Sequence, residues 1–358
     1  MRFLLAGGGT AGHVNPLLAL AQSLQQSGHE AIALGTREGL EARLVPERDV
    51  ELITVPKLPL PRKLTLAALT FPFRLISAAL RVRAVIKRRE ISAVVGFGGY
   101  ASAPAYLAAK LAGVPMVVHE ANAKSGFANR LGVKLGAKAA VAFANSDIGP
   151  AELVGMPLRA EILSSAAQYD KQQARVELGL DPMLPTLLVT GGSLGARSIN
   201  IAVLEALESL LRAGIQVLHI VGDKAELPQR EEQGYMRMAY CKRMDAAIAA
   251  SDLAISRAGA STVSEFSACG LPAIYVPYPV GNGEQRYNAE GPVGAGAALL
   301  VDDRDFNAEY IRSKVIPTMS HQKTLNRMAA SALEVGISDG TERLKQLVLA
   351  SVDTSSRD

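Results

Sequence analysis

Short apolar runs that end in glycine turns and lead into helices recur along the chain. Arg2 to Ala6 has the length and content of a buried strand. Gly7 to Gly12 makes a turn, and Asn15-Pro16 reads as the N-cap and first residue of a helix reaching Gln26, stopped by Gly28. A second apolar run, Ala31 to Gly35, completes a βαβ unit, which requires parallel strands and a right-handed crossover. The same order returns later. Thr186 to Thr190 is a strand and Gly191 to Gly195 a turn. A helix from Ala196 to Arg212 follows, with Leu204, Leu207 and Leu211 on one face, then a stop at Gly214 and a strand from Gln216 to Val221.

Further copies sit inside each half. Ile91 to Val95 leads into Gly96-Phe97-Gly98-Gly99-Tyr100 and a helix with Pro104 in its first turn, and Val114 to His119 is a strand ending at Glu120. Asp252 to Ser256 leads through Arg257-Ala258-Gly259-Ala260 into a helix from Thr262 to Ala268, closed by Gly270 and Pro272. Strands alternating with helices, twice over, predict an α/β chain of two doubly wound parallel sheets, each opening on a Rossmann-like unit. The seam falls near Gly155-Met156-Pro157-Leu158-Arg159, ahead of the polar, helix-like stretch Gln168 to Leu178, which divides the chain into residues 1–160 and 161–332. Ligands of such folds lie beyond the carboxyl ends of the strands, so two sheets facing across a cleft would share one ligand set.

Composition narrows the class. A chain of 358 residues, 49% apolar and 20% charged, has material for two cores, and its 32 glycines and 18 prolines are dispersed, which excludes collagenous or largely disordered chains. Cys241 and Cys269 give neither a disulfide framework nor metal-ligand spacing, so a reducing compartment, the cytoplasm, is expected. The first strand begins at once, with no charged and apolar leader, so no signal peptide is expected.

Charge separates the halves. Residues 1–160 hold 19 Lys and Arg against 10 Asp and Glu, whereas 161–358 hold 19 against 24, so the net +4 divides as +9 and −5. The surplus concentrates in residues 57–89, where nine cations occur without one acid among Leu64, Leu66, Leu69, Phe71, Phe73, Leu75, Ile76 and Leu80. Pro72 and Arg74 interrupt the apolar stretch, so it should not span a bilayer. Two readings remain open on composition: a surface dipping into anionic headgroups, or a core helix with a solvated basic rim. Nucleic acid is not expected, because Trp is absent and the aromatics are not interleaved with the cations.

Gly7-Gly8-Gly9-Thr10-Ala11-Gly12 matches G-x-G-x-x-G, but the second strand ends in Thr36-Arg37 rather than in the acid a dehydrogenase uses on the ribose. What such a turn does offer is bare N–H groups and a positive dipole end to an anion. Two such turns, at 7–12 and 191–195, could hold the diphosphate of a nucleotide donor from both sides of a cleft. His13 follows the first turn, either bonded to nearby backbone or serving as a general base. Glu120 and Asn122 lie where a strand's carboxyl end presents ligand groups, with His119 structural or supporting. Glu265 is open between two roles: partner of Thr262 in a capping box, or acceptor of ribose hydroxyls. Asp303-Arg304-Asp305 resembles a D-x-D metal motif, but its late place after an apolar run argues against a metal.

Seven segments in this order resemble the MurG family, the UDP-N-acetylglucosamine transferases that act on lipid-linked muramyl-pentapeptide. They are Gly8-Gly9-Thr10-Ala11-Gly12-His13; Gly98-Gly99-Tyr100 with Ser102 and Pro104; His119-Glu120-Ala121-Asn122; Gly155-Met156-Pro157-Leu158-Arg159; Gly191 to Arg197; Ser256 to Glu265; and Gln285 with Asn288-Ala289. The resemblance covers residue 1 to about 335 and implies a GT-B fold whose C-terminal helix, within 333–350, returns to the first domain. It also implies transfer, with inversion, of N-acetylglucosamine from UDP to the muramyl 4-hydroxyl of undecaprenyl-pyrophosphoryl-muramyl-pentapeptide, forming a β-1,4 link.

By position, the resemblance makes His13 the preferred base and Glu120 the reserve. It assigns uracil to backbone near Cys241, ribose to Glu265, diphosphate and donor to Arg159 and Ser193, and sugar hydroxyls to Gln285. Ala260, Ser261, Thr262, Val263, Ser264, Glu284 and Asn288 complete the donor set. Thr10, Ala11, Gly12 and Asn122 border the donor and, with Tyr100, form the acceptor-side wall. It requires neither a metal nor another cofactor. The basic segment then becomes a contact with an anionic membrane through Leu66, Leu69, Phe71, Phe73, Arg74, Ile76 and Arg81, and the protein a peripheral one on the cytoplasmic face. Three departures stand out: Ala11 where the pattern often has Gly, Ala121 in place of Gln, and Glu284 beside Gln285 where a Gln pair is frequent. Another GT-B lipid glycosyltransferase, such as a diacylglycerol galactosyltransferase, and a non-catalytic nucleotide-sugar-binding subunit would share the same turns.

Overall fold

The computed structural model describes residues 1–59, 66–168, 170–192, 195–223, 225 and 232–355, without side chains for 66–68, 165–168, 354 and 355. The chain divides into two units, Met1–Arg159 with Asp339–Asp358, and Ala160–Ser338.

The first unit is built on a seven-stranded parallel sheet. Its strands are β1 (Arg2–Ala6), β2 (Glu30–Thr36), β3 (Glu51–Val55), β4 (Ala93–Gly96), β5 (Met116–Glu120), β6 (Lys138–Val141) and β7 (Glu152–Leu153), in the order β3-β2-β1-β4-β5-β6-β7. Both faces are covered, which is why β1 reads as an unbroken apolar run. Phe3 and Leu5 enter one core with Leu17, Leu20 and Leu24, while Leu4 and Ala6 enter another with Val82, Ile86 and Tyr106. The segment 333–350 divides: Leu333 to Val335 end a helix of the second unit, and Gly340–Ser355 form a helix of the first. Leu344 and Val348 of that last helix join the core of Leu17 and Leu24, and Thr341 Oγ1 donates to the Leu158 carbonyl at 3.2 Å.

The second unit holds β8 (Thr186–Thr190), β9 (Gln216–Ile220), β10 (Tyr235–Met238), β11 (Leu253–Ser256), β12 (Ala273–Tyr275) and β13 (Ala298–Leu300) in the parallel order β10-β9-β8-β11-β12-β13. That order, read from the first strand of the unit, is 3-2-1-4-5-6, the doubly wound arrangement with its switch point between the first and fourth strands. The first unit has the same order with one short strand added.

Three local expectations change. The first helix begins at Ala11, not Asn15, because the Thr10 carbonyl accepts from both His13 N and Val14 N, so Pro16 lies inside the helix. Within the stretch Gln168 to Leu178 the helix is Lys171–Glu177, capped by the Asp170 side chain on Gln172 N, while Gln168 ends a separate helix, Ala160–Gln168. Finally, the helix after β11 starts at Ala260, two residues before Thr262. Apart from these three, the helix Leu66–Arg88 carries Pro72 in its interior.

Candidate functional site

The carboxyl end of β1 delivers the chain into Gly7-Gly8-Gly9, with Gly9 at φ 87°, a left-handed conformation natural to glycine. Ala11 has no such conformation, since Asp49 and Glu90 are the only non-glycine residues at positive φ among the described residues. The Gly9 amide is not presented to a ligand: it donates to Glu41 Oε2 at 2.8 Å. Glu41 is wholly buried, and its Oε1 accepts from Thr36 N and Thr36 Oγ1, both at 2.8 Å. Burial opposes its charge, but the amides of Gly9, Glu41 and Thr36 and the Thr36 hydroxyl outweigh it and hold the carboxyl below its ordinary range. The first turn is thus braced by an internal anion, which weakens the expectation that it serves an external diphosphate.

His13, half-buried in the first turn of helix Ala11–Gln26, has Nδ1 at 3.0 Å from the Gly8 carbonyl and 3.2 Å from Thr10 Oγ1. A carbonyl only accepts, so Nδ1 carries the proton and Nε2 is the basic nitrogen. Nε2 faces the next turn, where a Cβ on Gly98 would meet it at 3.0 Å. Gly98 and Gly99 both hold positive φ, and a Cβ on Gly99 would collide with the Gly8 carbonyl, so this turn packs directly on the first. Ser102 fixes it, its Oγ 3.0 Å from Gly98 N and 2.9 Å from the Ala6 carbonyl. Tyr100 emerges beside the turn with Lys57 over its ring at 5.2 Å.

Glu120, at the end of β5, is only 3% exposed, and both oxygens are engaged. Oε1 accepts from Asn122 N at 3.0 Å, and Oε2 from Gly126 N at 3.0 Å and Asn129 Nδ2 at 2.9 Å. Asp147 holds the same loop through Ser125 N at 2.7 Å and Arg130 at 2.7 Å. Glu120 therefore shapes the loop presenting Asn122, and the geometry disfavours the reserve-base role. His119 is fully buried, its Nε2 donating to the Gly155 carbonyl at 2.9 Å, and burial lowers its pKa to about 4.

In the second unit, Gly191 and Gly195 have no room for a Cβ, Gly195 lying against the Val221 carbonyl at φ 75°. Ser193, between them, lies outside the described residues. After β11, the helix Ala260–Ala268 opens on Gly259 with no side-chain cap. Thr262 is therefore inside the helix, and the capping box with Glu265 does not form. Glu265 is 9% exposed, and the neighbouring Cys269 thiol is pushed up to about 12 by burial and by the Glu265 charge. Near this helix start the buried Oγ atoms of Ser256 and Ser261 meet no partner among the described residues, whereas Ala260 and Val263 are packed into the core. Thr262 and Ser264 are half-exposed on the same helix.

Asp303 of the D-x-D sequence is committed elsewhere: Arg257 Nη1 donates to its Oδ1 at 2.5 Å and Ser198 Oγ does so at 2.7 Å. Gln285 Oε1 accepts from Tyr278 N at 2.9 Å, Glu284 N donates to Asn282 at 3.2 Å, and buried Asn288 pins this segment through the Ala258 carbonyl at 3.2 Å. Cys241, buried between β10 and the helix Met244–Ala250, has its thiol pushed up chiefly by burial.

Residues 3–141 match the family model of the glycosyltransferase family 28 N-terminal domain, and residues 186–344 that of its C-terminal domain. A protein of Clavibacter sepedonicus is 50% identical over 97% of this chain and 95% of its own length. One of Streptomyces coelicolor is 46% identical over the full length of both. Both are named UDP-N-acetylglucosamine–N-acetylmuramyl-(pentapeptide) pyrophosphoryl-undecaprenol N-acetylglucosamine transferase. The crystal structure of Acinetobacter baumannii MurG superposes with a TM-score of 0.79 at 27% identity, covering 98% of this chain and 99% of that one. The chain belongs to the MurG family. More distant structures, such as the kitacinnamycin glycotransferase at 17% identity and TM-score 0.71, share the GT-B fold.

Within the MurG frame, His13, Thr10, Gly12 and Tyr100 come together at the carboxyl end of the first sheet, with Asn122 on the adjoining loop after β5. Arg159 closes the first unit. Glu41, which sequence reading missed, belongs to the same group. Its only trace in the sequence is an acid in the first turn after Gly39, close behind β2.

The acid-free helix shows a stripe. Leu69, Phe73, Ile76 and Leu80 are 70%, 74%, 53% and 52% exposed, at a spacing that puts them on one helix face. Arg74 and Arg81 are exposed nearby, Phe71 is half-buried, and nothing is described of the Leu66 side chain. Ala78, Ala79, Val82 and Ile86 face the core. Among the described residues, no helix is long and apolar enough to cross a membrane.

Proposed function

We propose that this chain transfers N-acetylglucosamine from UDP-N-acetylglucosamine to the 4-hydroxyl of the muramyl sugar in undecaprenyl-pyrophosphoryl-muramyl-pentapeptide. The observation that carries the reading is the near-full-length identity, at 46–50%, with transferases that bear this activity in their names. His13 Nε2 takes the hydroxyl proton as O4 attacks the anomeric carbon. The bond from that carbon to the diphosphate oxygen breaks, and its electron pair leaves with UDP. The anomeric centre inverts, giving a β-1,4 link, and the imidazolium later returns its proton to solvent. Helix N-termini at Arg197 and Ala260, both in the second unit, are suited to stabilise departing diphosphate. Glu265 accepts the ribose hydroxyls, a role made easier by the absence of the capping box.

The acceptor's polyprenyl chain resides in a bilayer, and the Leu69, Phe73, Ile76 and Leu80 stripe with Arg74 and Arg81 suits docking on anionic lipid at the cytoplasmic face. Each such cation contributes about 1 kcal/mol near the surface. The test is transfer of radiolabel from UDP-N-acetylglucosamine to a soluble lipid-acceptor analogue by the purified chain alone. Turnover with UDP-galactose, or none without a second protein, would overturn the reading. His13→Ala should abolish turnover and leave UDP binding nearly intact.

A further inference from the structure

The carboxylate of Glu41 is buried and, among the described residues, joined to no cation, yet it is surrounded by hydrogen-bond donors. Space is reserved for it: a Cβ on Gly8, Gly35 or Gly39 would run into its side chain. A buried charge held this way is costly unless every donor is in place, so the arrangement calls for a purpose beyond packing.

One peptide group connects this anion to the imidazole. The Gly8–Gly9 peptide gives its N–H to Glu41 Oε2 at 2.8 Å and its C=O to His13 Nδ1 at 3.0 Å. The peptide is planar and trans, so fixing the N–H also fixes the direction of the C=O. A negative charge on the N–H side polarises the unit and makes the oxygen a stronger acceptor. Gly99, packed on the Gly8 carbonyl, and Gly98, beside Nε2, leave the ring little freedom to turn.

We infer that Glu41 is a positioning residue: through the Gly8–Gly9 peptide it holds the His13 imidazole in the tautomer with Nδ1 protonated and Nε2 basic, aimed past Gly98 at the acceptor hydroxyl. The division of labour is that of a carboxylate orienting a catalytic histidine, with a peptide inserted between them. The inference rests on the reading of His13 as the base.

The test uses the full-length protein with 15N-labelled histidine. The chain has 5 histidines, and His13→Gln assigns the signal. The wild-type ring should show Nδ1 protonated and Nε2 bare; a ring protonated at Nε2 overturns the inference without recourse to any variant. Glu41→Gln keeps the shape and removes the charge. It should lower kcat at least roughly tenfold with KM for UDP-N-acetylglucosamine within about twofold, and should mix the His13 tautomers. A folded Glu41→Gln protein with unchanged kcat and a single tautomer refutes it. In a His13→Ala background the Glu41→Gln effect on any residual turnover should vanish, because the two act as one unit. If His13→Ala alone keeps full turnover, the base assignment fails, and the wild-type ring tautomer still decides separately whether Glu41 orients the imidazole.

Discussion

Two buried histidines should make the protein lose stability on mild acidification. His119 is held at about 4 chiefly by burial, and His219 at about 3 by burial with a smaller contribution from Arg237. Both are neutral when folded. His119 gives its Nε2 proton to the Gly155 carbonyl, and His219 is bonded to Tyr235 Oη and Asn200 Oδ1, each at 3.0 Å. In the unfolded chain each titrates near the ordinary histidine value of about 6.5. Between that value and the folded one, the unfolded state binds more protons. Stability is therefore fully present above about pH 6.5 and falls as pH drops toward the folded values. Going from about pH 7.5 to about pH 5, each histidine should withdraw about 2 kcal/mol. Carboxylates held low by their partners, Glu41 and Asp147 among them, act mainly below that window. The assay is urea unfolding followed by circular dichroism across the window, for wild type, His119→Gln and His219→Gln. Each variant starts less stable but should show a flatter pH slope. Equal slopes in all three proteins would refute the placement of these rings as buried and neutral.

Gly99→Ala adds a methyl against the Gly8 carbonyl at a position of positive φ, and should cost more than about 2 kcal/mol of stability and most of the turnover, read by melting temperature and radiolabel transfer. Replacing Leu69, Phe73, Ile76 and Leu80 together by Ser should weaken binding to anionic vesicles at least roughly tenfold in flotation assays while leaving turnover on a soluble acceptor unchanged. Asp303→Asn should destabilise the second unit by about 2 kcal/mol through its half-buried pairing with Arg257, and a chelator should leave wild-type turnover as it was. A chelator-sensitive enzyme would overturn the reading of Asp303 as structural.

The strands that open on glycine turns were legible because both signals are local. An apolar run covered on two faces and a glycine forced to positive φ leave the same trace in any context, as at β1 with Gly9 and β4 with Gly98. Six strands were not read: β3, β7, β10 and β13 are edge strands with partial exposure or mixed polarity, such as Tyr235–Met238, and β6 and β12 are short buried runs that no glycine turn follows directly. Glu265 looked equally like a cap and a ligand group until the start of its helix was known. Glu120 looked like a site carboxylate, since sequence alone does not show that three N–H groups turn back upon it.

Sequence by itself therefore determined the two α/β units, the family and the placing of His13 after a glycine turn, because each depends on neighbours along the chain. Only the tertiary structure decided which carboxylates are structural, where helices begin, and which apolar residues of the basic helix stay exposed. These depend on groups distant in sequence arriving at one point, as when residues 9, 36 and 41 converge on a single buried charge.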